Sequence, residues 1–299
     1  MNVRQASPQP PGSHRDGELW LGHYSLRHVR AQQRWPAAAA AGFTGISVAY
    51  TEILQLRQAG ISAASLKGRA NSLGLRLTEL EYFNLVPSKS PADALAVATD
   101  MAETAAELGC ATVTSVAKSD TGFVGSAHEG GVLAEVARNL GVLADACARV
   151  GLGCAVEFMP RETPLDTLAR ARDLLRVVAG GNVGLTIDAI HFFRAGPDWP
   201  GLQTLPASDV YTVQLSDGPS TPRPGRYLTE SLEFRLCPGQ GDFDLKRFLS
   251  ALRGFHGPFT VEVLSRALSV LPPGEAARIM ADSARKILAS ATGLTREHP

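Results

Sequence analysis

Three carboxylates and one amide lie at equivalent places near the ends of four consecutive apolar segments. The segments read Ala155-Val-Glu157-Phe, Thr186-Ile-Asp188-Ala, Thr212-Val-Gln214-Leu and Thr260-Val-Glu262-Val. If these segments are neighbouring strands with their polar side chains facing inward, the four oxygen donors converge. Three buried negative charges without a counter-charge are costly, and a divalent cation removes that cost. An all-oxygen donor set predicts one Mn²⁺ or Mg²⁺ ion, with Co²⁺ or Zn²⁺ as substitutes.

Each of these residues also has a structural interpretation when it is taken singly. A buried Glu in a strand is often a hydrogen-bonding partner, and Asp188 could cap the turn that follows its strand. His191, three residues later, could be a hydrogen-bonded wall residue. The set of four favours the metal site, because buried like charges need a partner of opposite charge.

The four segments belong to an alternation of short apolar runs and helical stretches. The predicted strands are Leu19–Leu26, Gly45–Ala49, Arg76–Tyr82, Ala111–Ala117, Gly153–Phe158, Val183–Asp188, Val210–Leu215 and Phe259–Leu264. The predicted helices are Gln32–Ala41, Thr51–Leu73, Pro91–Leu108, Gly130–Val150, Thr163–Val178, Asp198–Leu205, Asp242–Leu252 and Pro272–Ala291. This repeated order predicts an α/β fold, a single (β/α)8 TIM barrel. The alternative is an open doubly wound sheet, but no Gly-x-Gly-x-x-Gly follows the first strand.

The predicted domain boundaries leave a short segment at each end of the barrel. Residues 1–18 are polar and rich in proline, which predicts a disordered leader and not a secretory signal. The barrel is predicted to span residues 19–291, and residues 292–299 form a C-terminal tail. One connection, Asp217 to Gly241, is unusually long, and in a barrel it would lie over the mouth where active sites form.

The charge and cysteine content exclude several classes of protein. Lys plus Arg and Asp plus Glu each number 29 in the 299 residues, so the formal net charge is zero. This balance argues against a nucleic-acid or anionic-membrane partner, and no apolar run approaches the length of a membrane span. The four cysteines form no Cys-x-x-Cys pair, which favours reduced core thiols in a cytoplasmic protein.

The second half of the chain resembles a known family. The resemblance rests on Glu157, Gly184-Leu-Thr-Ile-Asp188-Ala-Ile-His191, Val213-Gln214-Leu-Ser-Asp217, Arg235-Leu-Cys-Pro238-Gly-Gln-Gly241-Asp-Phe-Asp244 and Gly257-Pro-Phe-Thr-Val-Glu262-Val. These motifs are similar to those of the xylose-isomerase-like barrels of the sugar phosphate isomerase/epimerase superfamily. The resemblance implies that Glu157, Asp188, Gln214 and Glu262 are the metal ligands. Most members carry His in place of Gln214, and a subset resembling inosose isomerase-like proteins and 3-dehydroshikimate dehydratases carries Gln.

The resemblance also implies a reaction. A keto-sugar, cyclitol or related polyol would bind through its carbonyl and an adjacent hydroxyl, and the ion would stabilise the enediolate formed on proton loss. Glu157 and Glu262 are the expected catalytic pair, one removing the proton alpha to the carbonyl and the other returning a proton. Return to carbon gives isomerisation or epimerisation, whereas loss of hydroxide gives dehydration. The resemblance is also compatible with a homo-oligomer.

Four residues are predicted to contact the substrate at the barrel mouth: His191, Arg235, Lys118 and His128. His191 would hydrogen-bond a substrate oxygen. Arg235 could bind a carboxylate or phosphate of the substrate, or it could only clamp the long loop. Weaker candidates at the same mouth are Glu81, Asn84 and His23.

Two other functions fit a barrel of this kind less well. An abasic-site endonuclease needs more histidines and a basic face, whereas this chain has seven histidines and no net charge. A barrel that binds a sugar without catalysis would not need both Glu157 and Glu262. The sequence therefore favours a metal-dependent isomerase or epimerase, with a dehydratase as the alternative.

Overall fold

The fold is a closed parallel barrel in which β1 to β8 are hydrogen-bonded in chain order. The computed structural model describes residues 18–86, 90–118, 129–160, 163–178, 181–222 and 227–292. The strands are β1 (Leu19–Leu21), β2 (Gly45–Ala49), β3 (Arg76–Asn84), β4 (Thr112–Val116), β5 (Gly153–Glu157), β6 (Val183–Asp188), β7 (Val210–Leu215) and β8 (Phe259–Val261). The predicted (β/α)8 TIM barrel is confirmed.

Helices cover the outside of this barrel. They are α1 (Ala31–Ala40), α2 (Tyr50–Gln58), α3 (Ala63–Ser72), α4 (Pro91–Leu108), α5 (Glu129–Arg149), α6 (Leu168–Val177), α7 (Ala189–Arg194), α8 (Trp199–Gln203), α9 (Tyr227–Glu233), α10 (Leu245–Ala251), α11 (Arg266–Ser269) and α12 (Pro273–Thr292). The apolar core lies between these helices and the strands. Among the described residues, no helix combines the length and the apolar character that a membrane crossing requires.

Several predicted element bounds are wrong for identifiable reasons. The first strand ends at Leu21, and His23–Leu26 forms a 3-10 turn instead. The single helix predicted over Thr51–Leu73 is two helices, because Gly60 takes a left-handed φ of 80° and Ser62 caps a new helix. The helix predicted from Thr163 begins only at Leu168, after the N-cap Thr167. Helices α7, α9 and α11 were not predicted.

The two ends of the chain remain predictions. Apart from Glu18, the predicted leader lies outside the described residues, and so does the predicted tail apart from Thr292. The four cysteines are free and buried, as the sequence predicted.

The inside of the barrel contains a buried carboxyl below the mouth. Glu79 has no exposed surface, and one of its oxygens accepts from the hydroxyls of Thr114 at 3.0 Å and Thr212 at 3.2 Å. Burial raises the pKa of Glu79 from 4.5 to about 7, the two hydrogen bonds oppose this rise, and the charge of Glu157 adds to it. The folded protein therefore holds this proton more tightly than the unfolded chain does.

A pH-dependent stability follows from Glu79. Below pH 4.5 both states carry the proton, whereas between 4.5 and about 7 only the unfolded chain loses it, so stability falls as pH rises through this window. In the parent protein the raised pKa of Glu79 lowers the free energy of unfolding by about 3 kcal/mol between pH 4.5 and pH 8, and we expect Glu79→Gln to abolish this decrease. Denaturant unfolding of both proteins at several pH values measures it. Glu135→Gln, at a half-exposed carboxyl, serves as the control, and a pH-independent difference between Glu79→Gln and the parent protein would contradict the expectation.

Candidate active site

The predicted ligands meet at the carboxyl ends of β5 to β8. Glu157 ends β5, Asp188 ends β6, Gln214 lies one residue before the end of β7, and Glu262 directly follows β8. No more than 7% of the surface of any of these four residues is exposed. Parallel pairing in register brings the strand ends to one edge of the barrel, Asp188 being paired with Gln214 across β6 and β7.

The carboxamide of Gln214 shows how closely the four side chains converge. One of its terminal atoms lies 3.1 Å from Glu262 Oε2, 3.2 Å from Glu157 Oε1 and 3.3 Å from Asp188 Oδ2. With nitrogen at that position, the amide donates to the carboxylates. With oxygen at that position, four acceptors face one another without a proton between them, and only a cation stabilises such a cluster. The group therefore fits a divalent cation.

His191 lies beside this cluster on α7, one turn after Asp188. Its Nε2 is 3.2 Å from Glu157 Oε1 and 3.6 Å from Asp188 Oδ2. Together with these two carboxylates, its ring forms a group that could hold a metal ion. The Asp188 side chain accepts from the Ile190 amide at 3.1 Å and so caps this helix, which fixes the direction in which His191 leaves it. Asp188 therefore caps α7, as predicted, and its other oxygen also belongs to the carboxylate cluster.

Arg235 places one positive charge beside the carboxylate cluster. Its Nη1 lies 2.7 Å from Asp188 Oδ2 and 3.0 Å from Glu262 Oε2, and only 3% of the residue is exposed. Burial raises the pKa of Glu262 well above its ordinary value; the guanidinium opposes this rise, and the charge of Glu157 adds to it. One buried cation among three carboxylates leaves an excess of negative charge.

A chain of hydrogen bonds from α9 orients both Arg235 and His191. Arg235 Nε donates to the Ser231 carbonyl at 2.7 Å, and Nη2 donates to the Ser231 hydroxyl at 3.1 Å. The Ser231 hydroxyl bonds to Tyr227, whose own hydroxyl contacts His191 Nδ1. Burial raises the pKa of Tyr227 well above 10, so the phenol keeps its proton and can donate a hydrogen bond to Nδ1 of the neutral ring. The Nε2–H of His191 then points at Glu157.

Tyr227 and Ser231 were missed because α9 was predicted as loop. A buried ion pair holds this helix in place: Arg194 of α7 meets Glu230 through Nη2–Oε1 at 2.6 Å and Nε–Oε2 at 3.1 Å. Such a forked pair fixes orientation as well as distance. The pattern Tyr227-x-x-Glu230-Ser231, with i and i+3 or i+4 spacing, was the available signal for a helix with one buried face.

The cluster forms one side of a cavity of about 400 Å³. Glu157, Glu262, His191, Arg235 and Lys118 all border this cavity. All three nitrogens of the Arg235 guanidinium bind protein groups, so Arg235 fills the loop-clamping role that was one of its two predicted roles. Its contact with a substrate stays a prediction. Lys118 is half-buried at the rim, and its main chain is held by the Asn84 carboxamide at 2.9 and 3.0 Å. His128 lies outside the described residues.

The three weaker candidates take different places. Glu81 borders the cavity. Asn84 lines a separate crevice beside α4 and supports Lys118. His23 is buried with its Nδ1 3.5 Å from Glu52 Oε2, and burial followed by the charges of Arg34 and Arg27 lowers its pKa to about 3. His23 is therefore a neutral structural residue in this geometry.

Comparison with known proteins identifies the family of the chain. The profile of the xylose isomerase-like TIM barrel family matches residues 35–287. A 3-dehydroshikimate dehydratase of Pseudomonas aeruginosa is 32% identical over 139 residues, which are 46% of this chain and 22% of that enzyme. An inosose isomerase of Bacillus velezensis is 32% identical over 124 residues, 40% of this chain and 43% of that enzyme. The matches thus span less than half the length of these relatives.

A solved structure of the IolI protein with a bound zinc atom shares the fold. It superposes with a TM-score of 0.82 over 92% of this chain and 99% of that one, at 18% sequence identity. The family match covers most of the chain and includes the strand ends that form the cluster. The chain therefore belongs to the xylose isomerase-like TIM barrel family.

Proposed function

We propose that the chain is a divalent-metal-dependent isomerase or epimerase that acts on a keto-sugar or cyclitol by removing the proton alpha to a carbonyl. The observation that carries this proposal is the convergence of Gln214 with three carboxylates, at 3.1 to 3.3 Å, on one side of the cavity. The names of the matched relatives, an inosose isomerase and a 3-dehydroshikimate dehydratase, support substrates of this kind. A cavity of about 400 Å³ is of the size that small-molecule sites have.

Glu157, Asp188, Gln214 and Glu262 would hold the ion. Their oxygens favour a hard cation, Mn²⁺ or Mg²⁺, with Co²⁺ or Zn²⁺ as substitutes. When bound, the ion polarises the substrate carbonyl and neutralises the negative charge that proton removal creates. It also balances the excess of carboxylates that Arg235 leaves.

The protein residues divide the remaining work. Glu157 ends β5 and Glu262 directly follows β8, so they approach a substrate from different directions; one removes the alpha proton, and the other returns a proton of its own. His191 is held by Tyr227 through Nδ1, and its Nε2–H, which lies 3.2 Å from Glu157 Oε1, is the donor that a bound substrate oxygen would share. Arg235 holds Asp188 and Glu262 in position through its Nη1. The buried floor of the cavity excludes water from these steps.

Dehydration is the second candidate. It is favoured by the match to a 3-dehydroshikimate dehydratase. Both reactions begin with the same proton removal. They differ in whether a proton returns to carbon or a hydroxyl group departs from the carbon next to it.

Incubation in deuterated water tests the proposal. Metal-loaded protein is mixed with a panel of keto-sugars, inososes and 3-dehydroshikimate, and deuterium content and product mass are read by mass spectrometry. We expect deuterium at the carbon alpha to the carbonyl of at least one compound, and none after chelation of the metal. A product that differs from the substrate only by exchanged deuterium indicates isomerisation, whereas a product lighter by one water molecule indicates dehydration. Binding without exchange for every compound would overturn the enzymatic assignment.

A further inference from the structure

The cavity wall that faces the predicted metal ligands also contains a carboxyl, that of Glu81. Glu81 belongs to β3, which lies opposite β7 in the closed ring of eight strands. The residue is 3% exposed and borders the same cavity as Glu157 and Glu262. A substrate held between the two walls would therefore meet Glu81 on its side away from Gln214.

An irregularity in β3 brings this side chain to the cavity. Between Leu80 and Phe83 the strand advances three residues, while its partner β4 advances only two, from Val113 to Ser115. The extra residue is a β-bulge, a feature that commonly re-aims side chains beside active sites. As a result the adjacent residues Glu81 and Tyr82 both border the cavity, which strict alternation along a strand would prevent.

The surroundings of Glu81 favour the neutral acid. The Ser47 hydroxyl donates to its carboxyl, and among the described residues no donor reaches its Oε1 and no cation pairs with it. Burial raises the pKa of Glu81 well above its ordinary value, and the charges of Glu262 and Glu79 raise it further. The neighbouring wall consists of the Tyr24 and Tyr82 rings, which stack with centroids 5.7 Å apart.

We propose that Glu81 is the catalytic acid that protonates a departing hydroxyl, so that the site dehydrates a substrate with a hydroxyl on the carbon beta to its carbonyl. This inference rests on the alpha-proton removal of the proposed function and takes its second candidate, dehydration, as the outcome. Glu157 takes the alpha proton, and the electrons of the C–H bond form the enolate. The enolate electrons then form the C=C bond as the C–O bond breaks, and the O–H proton of Glu81 goes to the leaving oxygen, which departs as water. Glu157 releases its proton to solvent, and a proton from solvent restores Glu81.

The test compares two readouts in Glu81→Gln. In deuterated water with 3-dehydroshikimate, the variant should still exchange the alpha proton, because Glu157 is intact. Its rate of water loss should fall at least about 100-fold, the usual contribution of a positioned acid. The rate of water loss by the parent protein should decline as pH rises and Glu81 ionises. The residual rate of Glu81→Gln should not show this decline at high pH. Glu103→Gln, on the exposed face of α4, is the matched control.

The possible outcomes distinguish failure of the Glu81 acid role from failure of the proposed function. Water loss by Glu81→Gln at the parent rate would overturn the acid role, as would alpha exchange by the parent protein without any water loss. If the parent protein exchanges no proton, the proposed function itself has failed. Circular dichroism and metal content check that the variant folds, and Glu81→Asp, a shorter acid, should restore part of the rate and the pH limb if Glu81→Gln does not fold.

Discussion

Glu157→Gln is expected to reduce turnover by about 10² to 10⁴-fold on any compound that shows exchange in deuterated water. The amide keeps the size of the side chain and can still accept from His191 Nε2, 3.2 Å from Glu157 Oε1. It cannot take a proton from carbon, and it offers a weaker oxygen to a cation. Turnover and metal affinity, the latter by titration calorimetry, should therefore fall together while the fold is retained.

The control for this experiment is a carboxyl with no access to the cavity. Glu135→Gln changes a half-exposed side chain of α5 that pairs only with Arg138, so turnover and metal affinity should match those of the parent protein. A Glu157→Gln protein that turns over normally would disprove the base or acid role of Glu157. A protein that loses turnover but keeps full metal affinity would remove Glu157 from the ligand set alone.

Arg235→Met should lower the free energy of unfolding by about 3 to 5 kcal/mol, the cost of removing one partner from a buried ion pair. Without the guanidinium, Asp188 Oδ2 and Glu262 Oε2 lose a cation at 2.7 and 3.0 Å and remain buried. Arg235→Lys keeps a positive charge but loses the fork that also binds Ser231, so its loss should be smaller. Denaturant unfolding in the presence of chelator measures both variants.

Addition of a divalent ion sharpens this test. An ion that binds only the folded protein stabilises it according to its concentration and affinity, and it supplies the counter-charge that Met lacks. We expect Mn²⁺ to stabilise Arg235→Met more than the parent protein. An equal gain in both would mean that the ion and the guanidinium do not share the same carboxylates. Unchanged stability of Arg235→Met in chelator would show that Asp188 and Glu262 do not need Arg235.

Alternation of apolar runs and helical stretches was enough to predict the barrel, because each strand is buried on both sides and reads as a continuous apolar run. Exact bounds depended on local backbone geometry instead. The end of β1 is set by the 3-10 turn at His23–Leu26, whose apolar residues read like the rest of the strand. The break between α2 and α3 was visible in Gly60 and Ser62, but helical spacing on both sides obscured it.

The convergence of Glu157, Asp188, Gln214 and Glu262 was also predictable, since four equivalent strand ends can meet only at one edge of a parallel barrel. The contacts around them were not. Tyr227 and Ser231 lie in a Pro- and Gly-rich connection, and their positions depend on the tertiary pairing of Arg194 with Glu230. Long-range ion pairs of this kind leave no periodic trace in a sequence. The bulge that directs Glu81 inward is likewise a feature of strand pairing.

The facing walls of the cavity come from different halves of the chain. Residues of β5 to β8 and the connections after them supply the carboxylate cluster with Arg235 and His191. Tyr24, Glu81, Tyr82 and Lys118, in contrast, come from β1 to β4 and the turns that follow them. A substitution in the N-terminal half can therefore alter the shape of the cavity without changing the carboxylate cluster. For the proposed function, this division would let the N-terminal half change in specificity by drift while the C-terminal half keeps the residues assigned to proton removal.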